Sequence, residues 1–339
     1  MKCYYRALLS YQGGYSDASQ LHIRSLLHAG ADVVAVDIQP RGSYDHLHPD
    51  VKGVLISREE FPIRNDTTIH HVIPSGFSRT SGLNIGLFYP ETYPLCPIWA
   101  NRCKLVDKLA TSTSYQNDKA LDSKAFIWPI PYDQSLYLDI TPCKPIEAIA
   151  KNNFVFYTIG DMVRRKNLNG LIRAFLYEFR REPVKLFIKS APSGFGEDAS
   201  YRAANRILTQ IESETGIKSD GKIVLYGKWL SPAEIDGIHL AGNCFVSASF
   251  AEGWGIPTFS SVVFGKPVVG PATGGFLEFC DHKLLVQTTP EPCLSDGAYV
   301  EVFNGRQIID SPNLIELGAK MRAVYEGRLR ANHPPVAKF

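Results

Sequence analysis

The chain has 339 residues, of which 45% are hydrophobic and 21% charged, and its formal net charge is +2. This length is sufficient for two domains, and the composition is that of a globular protein rather than a disordered one. The 36 basic and 34 acidic side chains are nearly balanced in each half, so neither half has the strong basic charge that is typical of tight non-specific nucleic-acid binding.

In the first half, short β-rich runs predict seven strands. They are residues 4–10, 32–38, 53–57, 68–74, 84–90, 108–113 and 125–131. The segment DASQLHIRSLLHAG has helical periodicity and ends at Gly30, so it predicts a helix.

The second half continues the same alternation of strands and helices. Strands are predicted at 153–160, 184–190, 222–227, 244–250 and 284–289, with one more between residue 265 and Gly274, and helices at 167–182, 199–216, 231–242 and 256–265. Buried strands that alternate with helices predict parallel sheets in both halves. The prolines and polar residues of DITPCKPIEAIAKNN predict a boundary, which gives domains of residues 1–148 and 149–339, with a final helix able to pack back on the first domain.

Seven scattered cysteines without a C-x-x-C pair favour free thiols in a reducing compartment over a disulfide or zinc framework. No stretch approaches the roughly 18 consecutive apolar residues of a membrane span. The apolar run in MKCYYRALLSYQGG is short and is interrupted by Arg6, which is unlike a secretion signal. We therefore expect a cytoplasmic protein without a membrane span, and its oligomeric state stays open.

Two glycine-rich turns follow successive strands of the second half. In AEGWG, Gly253 and Gly255 would let the backbone approach a ligand, and the helix that follows would offer unpaired N–H groups to an anion. In PATGGFLEF, Gly274 and Gly275 precede another helix. One such turn would be only a tight connection. Two of them, one carrying the acid Glu252, favour a phosphate-bearing ligand.

A basic segment, YTIGDMVRRKNLNG, is predicted to lie at the same edge of the sheet. Gly160 ends a strand, and Arg164, Arg165 and Lys166 come directly before a helix. A run of cations in a loop is often only a solvated surface. Its position beside the glycine-rich turns favours a diphosphate bound by Arg165 and Lys166.

The second half resembles a known enzyme family in the order of its motifs. IG…RKN…LIRAF, VLYGKWLSPAEI, SASFAEGWGIPTFSSVVFGKPVV and GGFLEF resemble the C-terminal domain of GT-B glycosyltransferases of the family 4 type. More loosely, YQGGYSDASQLHIRSLLHAGADVVAVD resembles the glycine loop and first helix of their N-terminal domain. The resemblance implies an α/β protein of the GT-B fold, with an N-terminal acceptor-binding and a C-terminal donor-binding Rossmann-like domain facing a cleft.

The same resemblance implies the activity. It is that of a retaining, metal-independent glycosyltransferase that moves a hexosyl or pentosyl group from a nucleotide sugar, a UDP- or GDP-sugar, to a hydroxyl acceptor. No tightly bound cofactor is implied. The sequence contains no D-x-D motif, which agrees with a site that needs no metal.

The resemblance also assigns residues to the donor diphosphate. Arg165 and Lys166 would hold it, beside Gly160, and Gly13 and Gly14 would close on it from the other domain.

Other residues are assigned to the sugar and the ribose. Glu252 matches the first acid of the family's E-x7-E motif, which contacts the transferring sugar, and the amides of Gly253, Trp254 and Gly255 would bind sugar or phosphate oxygens. The second acid of that motif, which binds the ribose hydroxyls, is replaced by Ser260. A serine loses the bidentate contact of a carboxylate with a diol.

Four residues are weaker candidates. Trp229 would flank the nucleobase, although an aromatic residue after a strand is more often packing. Glu91 would touch the acceptor or the sugar, or else be an acid that begins a helix. His70 and His71 would point to opposite faces of a strand, one in the core and one near the cleft.

The acceptor is not determined by the sequence. A glycan or a small molecule is the first expectation. One alternative is a viral-type DNA glycosyltransferase that modifies hydroxymethylated pyrimidines, and another, suggested by Ser260, is a non-catalytic module that binds a sugar or a nucleotide.

Overall fold

The computed structural model describes residues 2–11, 13–62, 66–133, 140–190, 197–294 and 303–334. Contacts divide the chain into two compact units. One is built mainly from Met1–Gln134 with Pro292–Ile308, and the other mainly from Ser135–Glu291 with Ile309–Val336.

The first unit contains a seven-stranded sheet in the order β3-β2-β1-β4-β5-β6-β7, with every adjacent pair parallel. Each strand overlaps one of the predicted runs. The strands are β1 (Lys2–Ala7), β2 (Asp32–Asp37), β3 (Leu55–Ile56), β4 (Thr67–His71), β5 (Leu83–Leu87), β6 (Lys108–Thr111) and β7 (Ala125–Ile127).

Four helices of this unit lie between those strands, of which only the first was predicted. They are α1 (Gly14–His28), α2 (Pro49–Gly53), α3 (Pro97–Cys103) and α4 (Ser114–Ala120). The last three have five to seven residues each, too few to show the helical period in the sequence. Local signals fix where they begin, since Pro49 and Pro97 occupy first-turn positions and the Thr113 side chain accepts from the amide of Gln116.

The second unit contains a six-stranded parallel sheet in the order β10-β9-β8-β11-β12-β13. Its strands are β8 (Phe154–Ile159), β9 (Val184–Lys189), β10 (Ile223–Tyr226), β11 (Cys244–Val246), β12 (Val268–Pro271) and β13 (Leu285–Val286). Its helices are α5 (Lys144–Ala150), α6 (Leu168–Glu178), α7 (Glu197–Thr215), α8 (Pro232–Ala241), α9 (Ile256–Val263), α10 (Phe276–Phe279) and α11 (Leu314–Tyr325). The two doubly wound sheets confirm the predicted α/β class.

The helix α11 packs on α6, within the second unit. Leu317 and Met321 are buried with Phe156 and Phe175 in one core cluster. Arg322 joins the helices, because its Nε donates to Glu178 Oε1 at 2.8 Å and its guanidinium lies 4.6 Å from the ring of Phe179. The last described helix therefore packs on the second unit. The sequence analysis had left open that it packs on the first domain.

The division of the chain falls earlier than the expected boundary at residues 148 and 149. The second unit begins near residue 135, because α5 packs on α8 and on β8. The packing is close: a Cβ on Gly237 of α8 would lie 2.2 Å from the carbonyl oxygen of Thr141. Two further strands, β14 (Thr288–Leu294) and β15 (Asn304–Pro312), form a separate two-stranded ribbon. Across the described ranges, no helix is both long and apolar enough to cross a bilayer.

Four histidines are fully buried: His22, His70, His71 and His239. Burial lowers the pKa of His22 and of His239 to about 3, and that of His70 to about 4. Burial, with the nearby His22, holds the pKa of His71 well below its ordinary value. Their rings are neutral hydrogen-bonding groups, as between His71 Nδ1 and the Tyr5 hydroxyl at 2.6 Å.

These histidines predict a loss of stability in mild acid. In the unfolded chain each is protonated below about pH 6.5, whereas the folded protein keeps them neutral, so falling pH favours unfolding by about 1.4 kcal/mol per pH unit per histidine. Urea unfolding between about pH 7 and about pH 5 would measure the net slope, to which Asp17 and Asp236, whose pKa values burial raises to about 6 and about 7, contribute with the opposite sign. His239→Phe, which keeps the stacking on Phe264, should reduce it by one histidine's share. The control His282→Gln, at an exposed position, should leave it unchanged. An unaltered slope in His239→Phe would contradict the prediction.

Candidate functional site

The loops that follow β8, β11 and β12 meet at one edge of the second sheet. These three strands are adjacent and parallel, so their carboxyl ends point the same way. The loop after β8 carries Gly160 and Lys166, the loop after β11 carries Glu252, and the loop after β12 carries Gly274 and Gly275.

The centre of this edge is the buried carboxylate of Glu252, which is 7% exposed. Lys166 Nζ donates to its Oε1 at 2.6 Å, and Arg165 Nη1 donates to its Oε2 at 3.2 Å. The Ser249 hydroxyl donates to Oε1 at 2.8 Å. Both oxygens of the carboxylate therefore have charged or polar partners.

These partners decide the charge state of Glu252. Burial alone raises the pKa of its carboxyl, but the charges of Lys166 and Arg165, with the hydrogen bonds from Lys166 and Ser249, outweigh burial and hold it at about 2. The group is therefore ionised at neutral pH. It can accept hydrogen bonds and balance cations, but it has no proton to donate.

The two cations have different positions. Arg165 is hydrogen-bonded to the loop that carries Glu252. Its Nη1 also donates to the carbonyl of Ala251 at 2.7 Å, and its own carbonyl accepts from the amide of Phe250 at 2.8 Å. Lys166 instead lies along the wall of a pocket. Its side chain passes over Gly160, where a Cβ would lie 3.4 Å from the Cε of Lys166.

The pocket lies between the ends of β8 and β11 and the start of α9. Nine of its lining residues are polar or glycine: Thr158, Gly160, Asp161, Lys166, Ser247, Ser249, Glu252, Gly255 and Thr258. An ammonium group has three N–H donors, and Glu252 uses one from Lys166. The arrangement can therefore present a cation and an acceptor side by side to a ligand.

The glycine-rich turns contact each other through their backbones. A Cβ on Gly274 would lie 1.9 Å from the carbonyl oxygen of Glu252, and a Cβ on Gly275 would lie 2.1 Å from that of Trp254. Gly274 also has a φ of +50°, and Gly255, which precedes α9, has a φ of +81°. Gly274 and Gly275 therefore allow the loop after β12 to pack directly against the Glu252 turn. The sequence had instead suggested that these glycines let the backbone approach a ligand.

The side chain and the backbone amide of Trp254 lie in different environments. Its indole is buried against Phe259 and Phe279, at centroid distances of 5.4 and 5.0 Å, so the side chain is part of the core. Within the described ranges, no hydrogen-bond partner is found for the amides of Trp254 and Gly255. The predicted role of this turn thus depends on its backbone and not on the indole.

The remaining predicted residues of the second unit lie farther from Glu252. Ser260 is buried in the second turn of α9 and is not part of the pocket wall. Trp229 is 54% exposed in the loop after β10, which is separated from β8 by β9. The structure brings together Gly160, Arg165, Lys166 and the turn at 252–255.

The residues predicted in the first unit lie at its first helix, in β4 and after β5. Gly13 precedes α1 and Gly14 begins it. His70 and His71 are both fully buried, so neither is an open site residue as it stands, although they do have different neighbours, as predicted for opposite faces of β4. Glu91 is half-buried after β5, and the alternative that it begins a helix is wrong, because α3 starts at Pro97.

Several site residues were not found from the sequence. Ser249 orients Glu252, and the Ser247 hydroxyl donates to that of Ser249 at 3.0 Å. The two serines in the run SAS after β11 were the available signal, but the predicted strand extended to residue 250 and covered them. Asp161 and Thr158 enter the pocket because β8 ends beside β11.

Comparison with solved structures decides the fold. No family model matches the sequence, and no curated protein matches it. HepE of Anabaena, solved in complex with UDP-glucose, has a TM-score of 0.67 and 13% identity over 97% of this chain and 91% of that chain. The chain has the GT-B fold.

Two other GT-B structures agree over nearly the whole chain. A glycosyltransferase from Rickettsia africae has a TM-score of 0.62 and 11% identity over 97% of this chain and 89% of that chain. The trehalose 6-phosphate synthase of Burkholderia multivorans has a TM-score of 0.61 and 9% identity over 95% and 90%. The GT-B prediction is thus confirmed as a fold, at identities that show the fold alone.

The contact between the turns predicts that Gly274→Ala is strongly destabilising. The added Cβ would meet backbone at 1.9 Å in a left-handed conformation, so the Glu252 turn would have to move, at a cost of about 2–4 kcal/mol. Gly53→Ala, at the end of α2 with nothing within 4 Å, is the control and should change stability little. Chemical unfolding of both variants measures the difference. Equal stabilities would contradict the contact.

Proposed function

We propose that the GT-B chain is a glycosyltransferase that moves a sugar from a nucleotide diphosphate to a hydroxyl acceptor, with retention of anomeric configuration. One observation carries the proposal. An ionised carboxylate, Glu252, is paired with Lys166 in a pocket at the carboxyl edge of the second sheet, beside the Trp254 and Gly255 amides, which have no hydrogen-bond partner among the described residues. A cation, a backbone donor and an acceptor at one sheet edge match the chemical groups of a diphosphate joined to a sugar.

The diphosphate binds at Lys166 in this proposal. Two of the lysine's three N–H donors are not used by Glu252, and the amide of Gly255, which lines the pocket directly before α9, adds a further donor. Arg165 contributes its charge, and it also positions Glu252 through the Ala251 carbonyl.

The sugar then lies against Glu252. A carboxylate with a pKa of about 2 remains an acceptor at neutral pH and binds sugar hydroxyls, while its negative charge favours the positive charge that develops on the sugar carbon. Ser249, Lys166 and Arg165 fix its orientation before the donor arrives.

Transfer occurs on one face of the sugar. The bond from the anomeric carbon to the diphosphate oxygen breaks, the bond to the acceptor oxygen forms on the same face, and the acceptor proton passes to the departing phosphate. Charge therefore builds on the diphosphate, next to Lys166, which stabilises it without rearrangement. No further side chain is required as a base.

Other assignments remain proposals that rest on the resemblance. Gly13 and Gly14 would contact the donor from the first unit, Ser260 would replace the acid at the ribose, and Trp229 would flank the base. For the acceptor we propose a glycan or a small molecule, because no described feature of the chain favours DNA. Seven free thiols are consistent with action in a reducing cytoplasm.

Glu252→Gln tests the central assignment. Losing the charge aimed at the reacting sugar should reduce kcat by about 10- to 1000-fold, or about 1.4 to 4 kcal/mol. The measurement is steady-state transfer from the preferred UDP- or GDP-sugar, below the melting temperature of each variant. Glu278→Gln, an exposed acid of α10, is the matched control and should keep its activity. Full kcat in Glu252→Gln would reject the role of this carboxylate.

Metal independence is tested with EDTA. Because Lys166 and Arg165 are fixed beside the pocket, we expect them to balance the diphosphate in place of a divalent ion, so transfer should continue at an unchanged rate in excess chelator. Dialysed enzyme without chelator is the control. Activity that is lost in EDTA and restored by Mg²⁺ or Mn²⁺ would contradict this part of the proposal.

A further inference from the structure

Arg6, in β1, is a half-buried cation of the first sheet that the proposed function has not used. Its Nη1 donates to His70 Nδ1 at 3.0 Å and to the Ser78 hydroxyl, and its guanidinium lies 5.5 Å from the centroid of the Phe61 ring. None of these partners is an acid, and Arg6 forms no ion pair within the described ranges. The charge of this guanidinium is therefore not balanced by a carboxylate among those residues.

A buried chain of hydrogen bonds fixes the orientation of the guanidinium. Because an arginine can only donate, His70 Nδ1 is the acceptor, and Nε2 of its neutral ring donates to Asn84 Oδ1 at 3.1 Å. His70 and Asn84 are both fully buried. Asn84 Oδ1 also accepts from the amide and the hydroxyl of Thr80, at 3.0 and 2.7 Å. Arg6 Nη1 is thus held by groups whose own hydrogen bonds are satisfied within the protein.

The other edge of the guanidinium is open. Nη1 makes both internal hydrogen bonds of Arg6, whereas Nε and Nη2 have no partner in the described ranges and are not enclosed by the protein. These two nitrogens present parallel N–H donors, the arrangement with which an arginine binds two oxygens of a carboxylate or a phosphate. The free edge therefore has the geometry that recognises such an anion.

The connections on either side of β4 leave this face of the sheet accessible. Arg6 is paired with His70 in the parallel register of β1 and β4, so both side chains lie on the same face. Across the described residues, the connections from β3 to β4 and from β4 to β5 contain no α-helix, and the second has only the 3-10 turn Pro74–Gly76. Loops, which contribute Phe61 and Ser78, therefore cover Arg6 in place of a packed helix.

The loop after β3 also carries a second cation. Arg58 is exposed, has no ion pair within the described ranges, and is three residues before Phe61, whose ring contacts Arg6. Glu60 of the same loop is directed to its own turn, where it accepts from the amide of Ser57 at 2.7 Å. Burial, and then the charge of Arg58, lowers the pKa of the Arg6 guanidinium. Two like charges that repel each other at a partly buried position favour the binding of an anion.

We propose that Arg6 is the centre of an anion-binding site in the first unit, and that its ligand is a small molecule with a carboxylate or a phosphate group. The Nε and Nη2 groups of Arg6 donate to two oxygens of that group. His70 and Ser78 orient the guanidinium, and Arg58 adds charge. This site does not depend on the proposed function, because no residue of the Glu252 pocket takes part in it.

NMR of the arginine Nε–H groups tests the site in the full chain. Arg6→Lys removes one signal and so identifies that of Arg6. Titration with inorganic phosphate and with glucuronate should shift this signal, with a Kd of about 1 mM for the stronger anion. Glucose, which has the same ring as glucuronate but no acidic group, should leave the signal in place. Which anion binds more tightly distinguishes a phosphate ligand from a carboxylate ligand.

Two further arginine variants separate the site from general charge. Arg58 is exposed, so Arg58→Gln should fold normally, and the loss of its charge should weaken binding of both anions about two- to fivefold. Arg102→Gln, which removes an exposed charge from the last turn of α3, is the matched control and should keep the wild-type Kd. The melting temperature is a second readout. Glucuronate should raise that of wild type but not that of Arg6→Lys, because a lysine lacks the parallel donors.

Four results would count against the inference. An Arg6 signal that neither anion moves would show that the free edge binds no anion. Equal shifts of the Arg6 and Arg102 signals would show only non-specific contact with a basic surface. An equal rise in melting temperature for wild type and Arg6→Lys would place the binding elsewhere, as at Lys166. An unchanged Kd in Arg58→Gln would contradict the part assigned to Arg58. None of these results bears on the proposed function, which is tested by sugar transfer.

Discussion

The carboxyl edge of the second sheet depends on one buried interaction, the contact of the Glu252 carboxylate with Lys166 and Arg165. A carboxylate that is 7% exposed would be costly without a partner, so the loop after β11 and the loop after β8 must keep their relative position for either to be buried. Arg165 reinforces this through the Ala251 carbonyl and the Phe250 amide, which are backbone groups of the Glu252 loop. The charges and the main chain thus restrain the same few residues.

A second constraint acts on the same turn from the other side. Gly274 and Gly275 let the loop after β12 approach the carbonyls of Glu252 and Trp254 more closely than any side chain would permit. The buried indole of Trp254 anchors the turn to Phe259 and Phe279. Salt bridges, backbone packing and an aromatic anchor therefore hold the turn on three sides, and only the side towards the pocket remains for a ligand. Such rigidity is what a site needs if its dipoles and charges are to be oriented before substrate binds.

The sequence predicted most of the fold, since continuous apolar runs marked each parallel strand and the long helix α6 showed its period. It did not predict α2, α3 and α4, whose five to seven residues are too short for a period and which begin at proline or threonine signals instead. In the site, Arg165, Lys166 and Glu252 were predicted as neighbours, but their division of roles depends on which backbone groups Arg165 reaches. Likewise, the core position of the Trp254 indole follows from contacts with residues 5 and 25 positions away, which no local pattern indicates.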